Sequence, residues 1–185
     1  MIPKSGDRFS DQIMRKEKHL TAIVVMGVSG AGKSTVGTLI AERLGAAFRD
    51  ADSFHPPANV AKMSSGQPLT DEDRWPWLTA IAAWIAEHRA AGTTCVVTCS
   101  ALKRAYRDIV TDKQRADVRI VYLKGDFELI AARLAARKGH FMPPALLKSQ
   151  FDALQEPAPD EHAIVAPIDT TPEEIAARVV QQLRG

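Results

Sequence analysis

Gly27-Val28-Ser29-Gly30-Ala31-Gly32-Lys33-Ser34 follows an apolar, β-branched run at 21–26 and fits G-x-x-x-x-G-K-[ST] at each fixed position. The glycines let the chain curl so that successive backbone N–H groups face inward, while the helix expected next turns its positive end to the same point. Such a loop holds a phosphate chain. Lys33 would reach the β- and γ-phosphates of a nucleoside triphosphate, and the Ser34 hydroxyl would hold Mg2+. The expected ATP contacts are Gly27, Val28, Ser29, Gly30, Ala31, Gly32, Lys33, Ser34 and Thr35.

Phosphoryl transfer also needs cations around the moving group and a residue that orients the attacking hydroxyl. Arg133 and Arg137 fall at i,i+4 on one expected helix, where like charges repel unless an anion lies between them. No acidic residue stands three or four positions before either one. A solvated basic face is the alternative. Asp52 follows the second expected strand, where a carboxylate could accept the hydroxyl proton. Asp50 is the second candidate there, and a turn cap is the alternative for either residue.

The elements that must position these groups follow from hydrophobic period and breakers. Strands are expected at 21–26, 47–49, 94–98, 118–123 and 163–168. Helices are expected at 33–44, at 76–91 opened by Pro76, and at 100–110, 126–138, 145–154 and 172–184. Residues 53–74 read as irregular. This alternation predicts an α/β fold, a parallel β-sheet covered by helices on both faces. Ligands then sit beyond the C-terminal strand ends, which gathers residues 27–34, 50–52, 99–103 and 125–126 on one edge.

Composition bounds the rest. The 185 residues suit one domain at 21–185, preceded by a loose polar extension at 1–20 in which Met14 is a second candidate start. With 24 basic against 22 acidic residues, no general nucleic-acid footprint is expected. No apolar run approaches the roughly 20 residues that cross a bilayer, and no signal peptide is visible, so a cytoplasmic protein without a membrane partner is expected. Cys95 and Cys99 lie four residues apart in one strand-like segment, roughly 13 Å. A disulfide needs less than about 7 Å, so two buried free thiols are expected.

Beyond the phosphate loop, several blocks carry a family resemblance. They are Asp50-Ala51-Asp52-Ser53-Phe54-His55-Pro56, the run from Lys62 to Arg74, Cys99-Ser100-Ala101-Leu102-Lys103, Tyr122-Leu123-Lys124-Gly125-Asp126, Arg133-Leu134-Ala135-Ala136-Arg137-Lys138-Gly139-His140-Phe141 and Leu154-Gln155-Glu156-Pro157. In this order the chain resembles bacterial gluconokinases over about 21–185. The resemblance implies a P-loop fold of the nucleoside-monophosphate-kinase type with a small mobile lid at about 133–145. It also implies transfer of the ATP γ-phosphoryl to the 6-hydroxyl of D-gluconate, with Mg2+, in a homodimer. Ala51 departs from the glycine expected there.

The resemblance gives roles. Lys33, Asp52, Arg133 and Arg137 become the catalytic set, with the arginines clamping ATP from the lid. Gluconate carries a carboxylate and several hydroxyls, so Arg74 is the expected carboxylate fork, or else an ion-pair partner of Asp71 or Asp73. Asp52, His55, Lys62, Ser100 and Lys103 complete the expected substrate contacts. Asp71-Glu72-Asp73 reads as the acidic start of a helical turn after Thr70, not as a metal site. Adenine is expected between the segment after Ser100, with Arg104, and the turn at 169–172. Another kinase of this fold, acting on shikimate or a nucleoside monophosphate, is the alternative. A nucleotide switch is a further one, weakened by the lack of an Asn-Lys-x-Asp motif.

Overall fold

The computed structural model describes residues 19–113, 116–139 and 143–185. The expected extension lies almost wholly outside the described residues, as do His140 and Phe141 of the expected lid. The apolar run before the phosphate loop forms β1 (Ala22–Met26), and the loop opens directly into α1 (Lys33–Leu44). β2 (Ala47–Asp50) leads through a single 3-10 turn at Ala51–Phe54 to α2 (Pro57–Ser64) and the long α3 (Asp71–Ala91). There follow β3 (Cys95–Thr98), α4 (Arg104–Val110), β4 (Val118–Lys124), α5 (Phe127–Ala136), α6 (Pro144–Ala153), a second 3-10 turn at Pro159–Glu161, β5 (Ile164–Pro167) and α7 (Pro172–Arg184).

Among the described residues five strands make one sheet in the order β2-β3-β1-β4-β5, each pair parallel. β1 is buried along its whole length because its alternate side chains feed two cores. Ile23 and Val25 pack with residues of α1, α5 and α7, whereas Ala22, Val24 and Met26 pack with α3 and α4. The edge strands differ. β2 and β5 alternate between more and less exposed residues, as strands with only one well-covered face do. Strand order reverses at the C-terminal ends of β1 and β3, and that is where the phosphate loop and residues 99–103 emerge.

The fold departs from the sequence expectation in four places. The stretch at 53–74 is not irregular throughout, because Pro57 stands at the first position of α2, where its fixed φ favours a helix and its missing N–H costs nothing. Pro76 does not open α3, which starts at Asp71 behind a reciprocal cap between Thr70 and Asp73. Pro76 therefore lies inside that helix. α4 begins only at Arg104, because Ala101 takes a left-handed φ of 45° and Lys103 is extended. α5 ends at Ala136, with Arg137 extended at φ −74°, ψ 120°. Cys95 and Cys99 are free and buried, and burial pushes both thiols up to about 12. Among the described residues no helix is long and apolar enough to cross a membrane.

Candidate active site

The phosphate loop keeps its shape through glycine and packing. Gly30 has φ 83°, and a Cβ there would stand 2.8 Å from Leu134 Cγ on α5, so no side chain fits. Gly32, at φ 92°, is the N-cap of α1 and offers no side-chain cap, which leaves the first-turn N–H groups of that helix for an anion. Lys33 Nζ donates to the Val28 carbonyl at 3.0 Å. Burial pushes the Lys33 ammonium below its ordinary value, while the charges of Asp50 and Asp52 oppose that and Arg137 reinforces it.

The β2–β3 register sets Asp50 opposite Thr98. Asp50 Oδ2 accepts from the Ser34 hydroxyl at 2.7 Å and the Thr98 hydroxyl at 2.9 Å, and its Oδ1 accepts from the Asp52 N–H at 3.0 Å. Burial works to raise its pKa, but these donors and the Lys33 charge outweigh it and hold the carboxyl below its usual range. A hydroxyl and an ionised carboxylate side by side form the hard oxygen set that Mg2+ takes, so these residues fit that ion.

A cavity of about 950 Å³ extends from this loop across the C-terminal strand ends. Lys33, Ser34, Thr35, Asp50, Asp52, His55, Arg74, Ser100, Lys103 and Arg137 all line it. The His55 ring stacks on Trp77 at 4.3 Å, while the Trp77 indole N–H is anchored on the Ala51 carbonyl at 2.7 Å. Burial, helped by the charge of Arg74 and opposed by that of Asp52, lowers the His55 pKa. His55 Nδ1 stands 3.4 Å from the Asn59 side-chain amide.

Behind the lining residues Arg74, Lys103 and Tyr106, Asp71 accepts from the Tyr106 hydroxyl and from Lys103 Nζ at 3.4 Å, and its carboxylate stands 3.9 Å from Arg74 Nη1. Arg74 Nη1 also donates to the Tyr106 oxygen at 3.3 Å. Arg74 is therefore both a cavity residue and an ion-pair partner of Asp71. Lys62 is placed differently. It pairs with Asp73, which also caps Thr70, and it is not among the described residues that line the cavity.

The two arginines expected on one helix face are separated. Arg133 remains on α5 and donates through Nη2 to the Ile168 carbonyl, while Arg137, beyond the helix end, turns into the cavity wall. The end of α5 breaks the i,i+4 geometry on which their side-by-side placement rested. Arg104, expected near adenine, forms an ion pair with Asp160 and takes Gln155 Oε1 on its backbone N–H at 2.8 Å.

The site's architecture has counterparts. The shikimate kinase family profile matches residues 29–184. The thermoresistant gluconokinase of Escherichia coli K12 is 43% identical over 162 residues, covering 87% of this chain and 92% of its own. The gluconokinase of Gluconobacter oxydans is 45% identical over 166 residues, covering 88% and 91%. The chain belongs to the gluconokinase family, on a shikimate-kinase-type domain. A crystal structure of a gluconokinase from Sinorhizobium meliloti superimposes with a TM-score of 0.78 at 42% identity, covering 90% of this chain and 97% of that one.

Several side chains that shape this gluconokinase-family site are invisible to motif reading. Thr98 ends an apolar strand and reaches Asp50 only through the strand register. Tyr106 reads as a helix core residue, yet its hydroxyl meets Asp71 in the cavity wall. Arg107 and Glu161, 1% and 0% exposed, form a two-bond ion pair at 2.8 and 3.0 Å. Arg107 Nη1 also donates to the carbonyls of Ala101 and Leu102 at 3.0 and 3.2 Å, which holds the left-handed turn that presents Ser100 and Lys103. The one available signal was an arginine spaced on the apolar face of α4.

Proposed function

We propose that this chain phosphorylates D-gluconate at its 6-hydroxyl with ATP, giving 6-phospho-D-gluconate and ADP. One observation carries the reading: a single cavity is lined both by Lys33 and Asp52 of the phosphate loop and second strand and by Arg74, Lys103 and Tyr106. A polyol with an anionic end fits that polarity. The acceptor's carboxylate lies against Arg74 and Lys103, its hydroxyls meet His55 and Ser100, and its terminal hydroxyl is delivered to the phosphate loop.

Asp52 accepts the hydroxyl proton as the oxygen bonds to the γ-phosphorus and the bond to the ADP oxygen breaks. Lys33 and Arg137 offset the charge on the transferring oxygens. Ser34, with Asp50 behind it, would hold Mg2+, which when bound neutralises charge on the phosphate oxygens. Residues 21–185 act as one kinase domain with the lid at about 133–145. A homodimer is proposed on the resemblance and a cytoplasmic location on the sequence reading, and light scattering of the purified chain tests the first.

A coupled ADP-release assay against sugar acids, neutral sugars, shikimate and nucleoside monophosphates tests the activity. Gluconate should give the highest kcat/KM. A higher value for shikimate or a nucleotide overturns the reading.

A further inference from the structure

Across the cavity from α1, Gln150 on α6 makes a reciprocal pair with the phosphate loop 121 residues earlier. Its Oε1 accepts from the Ser29 N–H at 2.8 Å, and its Nε2 donates to the Ser29 hydroxyl at 2.9 Å. We propose that Gln150 is a positioning residue for phosphoryl transfer, fixing the phosphate loop so that Lys33 stands where the transferring group arrives. The proposal rests on the kinase reading of the same site.

Three facts lead there. A loop whose function is to aim N–H groups at phosphate gains nothing by giving one away, yet the Ser29 N–H is taken by a side chain. Gly27 and Gly30 flank this segment, and Val28 is buried in the core whereas Ser29 is only half-buried, so the Ser29 side is the one that packing holds least. The Val28 carbonyl, one residue before Ser29, is the atom on which Lys33 Nζ rests. A side chain that holds Ser29 therefore also holds the seat of the lysine. Gln150 projects from a firm base, because Leu147 on the same helix is 2% exposed in the core and Phe151 meets Phe127 edge to face at 5.6 Å. Both amide ends are used, so one amide orientation alone satisfies the pair.

Gln150→Met tests this, since it keeps length and packing but removes both hydrogen bonds. The expected result is a kcat lowered about 10- to 100-fold, the size expected of a misplaced catalytic group, with gluconate KM and melting temperature nearly unchanged. Ser29→Ala removes only the hydroxyl bond and should cost less. Combined with Gln150→Met it should add nothing, because its effect runs through Gln150. Wild-type kcat in Gln150→Met, or losses that multiply in the double variant, overturns the proposal.

A second measurement needs no acceptor. In the nucleotide-free protein, amide hydrogen exchange of a peptide covering residues 27–33 should quicken in Gln150→Met, and unchanged exchange overturns the proposal. If the wild-type protein turns over no sugar acid while this exchange effect is present, the substrate reading has failed and the loop-fixing role stands.

Discussion

For phosphate, the proposed function relies on backbone N–H groups of one continuous loop and the first turn of α1, with Lys33 and Ser34 beside them in sequence. For the acceptor it relies on the side chains of Arg74, Lys103 and Tyr106, brought from α3, the segment before α4, and α4 itself. The electrostatics differ as well. Lys33 rests on a carbonyl and makes no ion pair among the described residues, whereas Arg74 and Lys103 already share Asp71. A phosphate therefore has a neutral carbonyl to displace from Lys33. A carboxylate must compete with one that the protein supplies. The phosphate end should be sensitive to single losses, and the acceptor end should show smaller, partly compensated ones.

The largest effect expected is that of Lys33→Ala. The ammonium acts on charge that develops during transfer, so kcat should fall about 100- to 1000-fold or more, with the melting temperature retained. A variant within tenfold of wild type would break the contrast, since the loop backbone alone would then suffice.

Asp52→Asn comes next. The amide is nearly isosteric but cannot take the hydroxyl proton, so kcat should fall about 100-fold, the lower end of what general-base catalysis contributes. Asp50→Asn should act otherwise, shifting the Mg2+ concentration needed for half-maximal rate, because Asp50 holds the Ser34 hydroxyl. If Asp50→Asn loses more kcat than Asp52→Asn at saturating Mg2+, the roles are reversed.

The same contrast explains what the sequence disclosed. The loop from Gly27 to Ser34 was legible because its function lies in consecutive residues whose types leave few alternatives. The parallel sheet was legible for a similar reason, since buried runs such as Val24-Val25 and Val96-Val97 alternate with helical period. Asp52, His55 and Arg74 were found as candidates, but their shared cavity needed the sheet order that sets β2 beside β3 and the turn of α3 toward α4. Helix α2 was hidden by Pro56-Pro57, which reads as a breaker and serves here as a helix start. Gln150 had no signal at all, because its partner is a backbone N–H far along the chain. Arg133 and Arg137 were paired by a helical spacing that the chain leaves at Arg137.

At the acceptor end, Arg74→Ala should raise gluconate KM and lower kcat/KM about 10- to 150-fold, the range of a charge-assisted contact worth roughly 1.5–3 kcal/mol. Arg74→Lys should recover part of this, because an ammonium lacks the paired donors of a guanidinium. The KM for ATP should hardly move. If Arg74→Ala loses thermal stability but keeps its KM, Asp71 is its working partner and the carboxylate lies nearer Lys103.

The smallest effect expected lies just outside the cavity, in the Lys62–Asp73 pair. Asp73 accepts from Lys62 and from the Thr70 N–H, and these contacts, the Lys62 bond foremost, hold its carboxyl at about 2, below an ordinary 3.8. Because the folded protein binds the proton less readily than the unfolded chain, Asp73 adds stability above about pH 4. That contribution fades as pH falls toward about 2. Asp73→Asn keeps an acceptor for the Thr70 N–H and removes the charge. Urea unfolding should find the variant slightly less stable than wild type near pH 7, with the two converging as pH drops through this window. Both side chains are partly exposed, at 30% and 25%, so the gap should also narrow in high salt. Parallel stability curves from pH 7 to pH 2 would show that Lys62 does not pair with Asp73 in solution. Lys62 would then be available to turn toward the acceptor, and a Lys62→Met variant with raised gluconate KM would place it at the carboxylate end with Arg74.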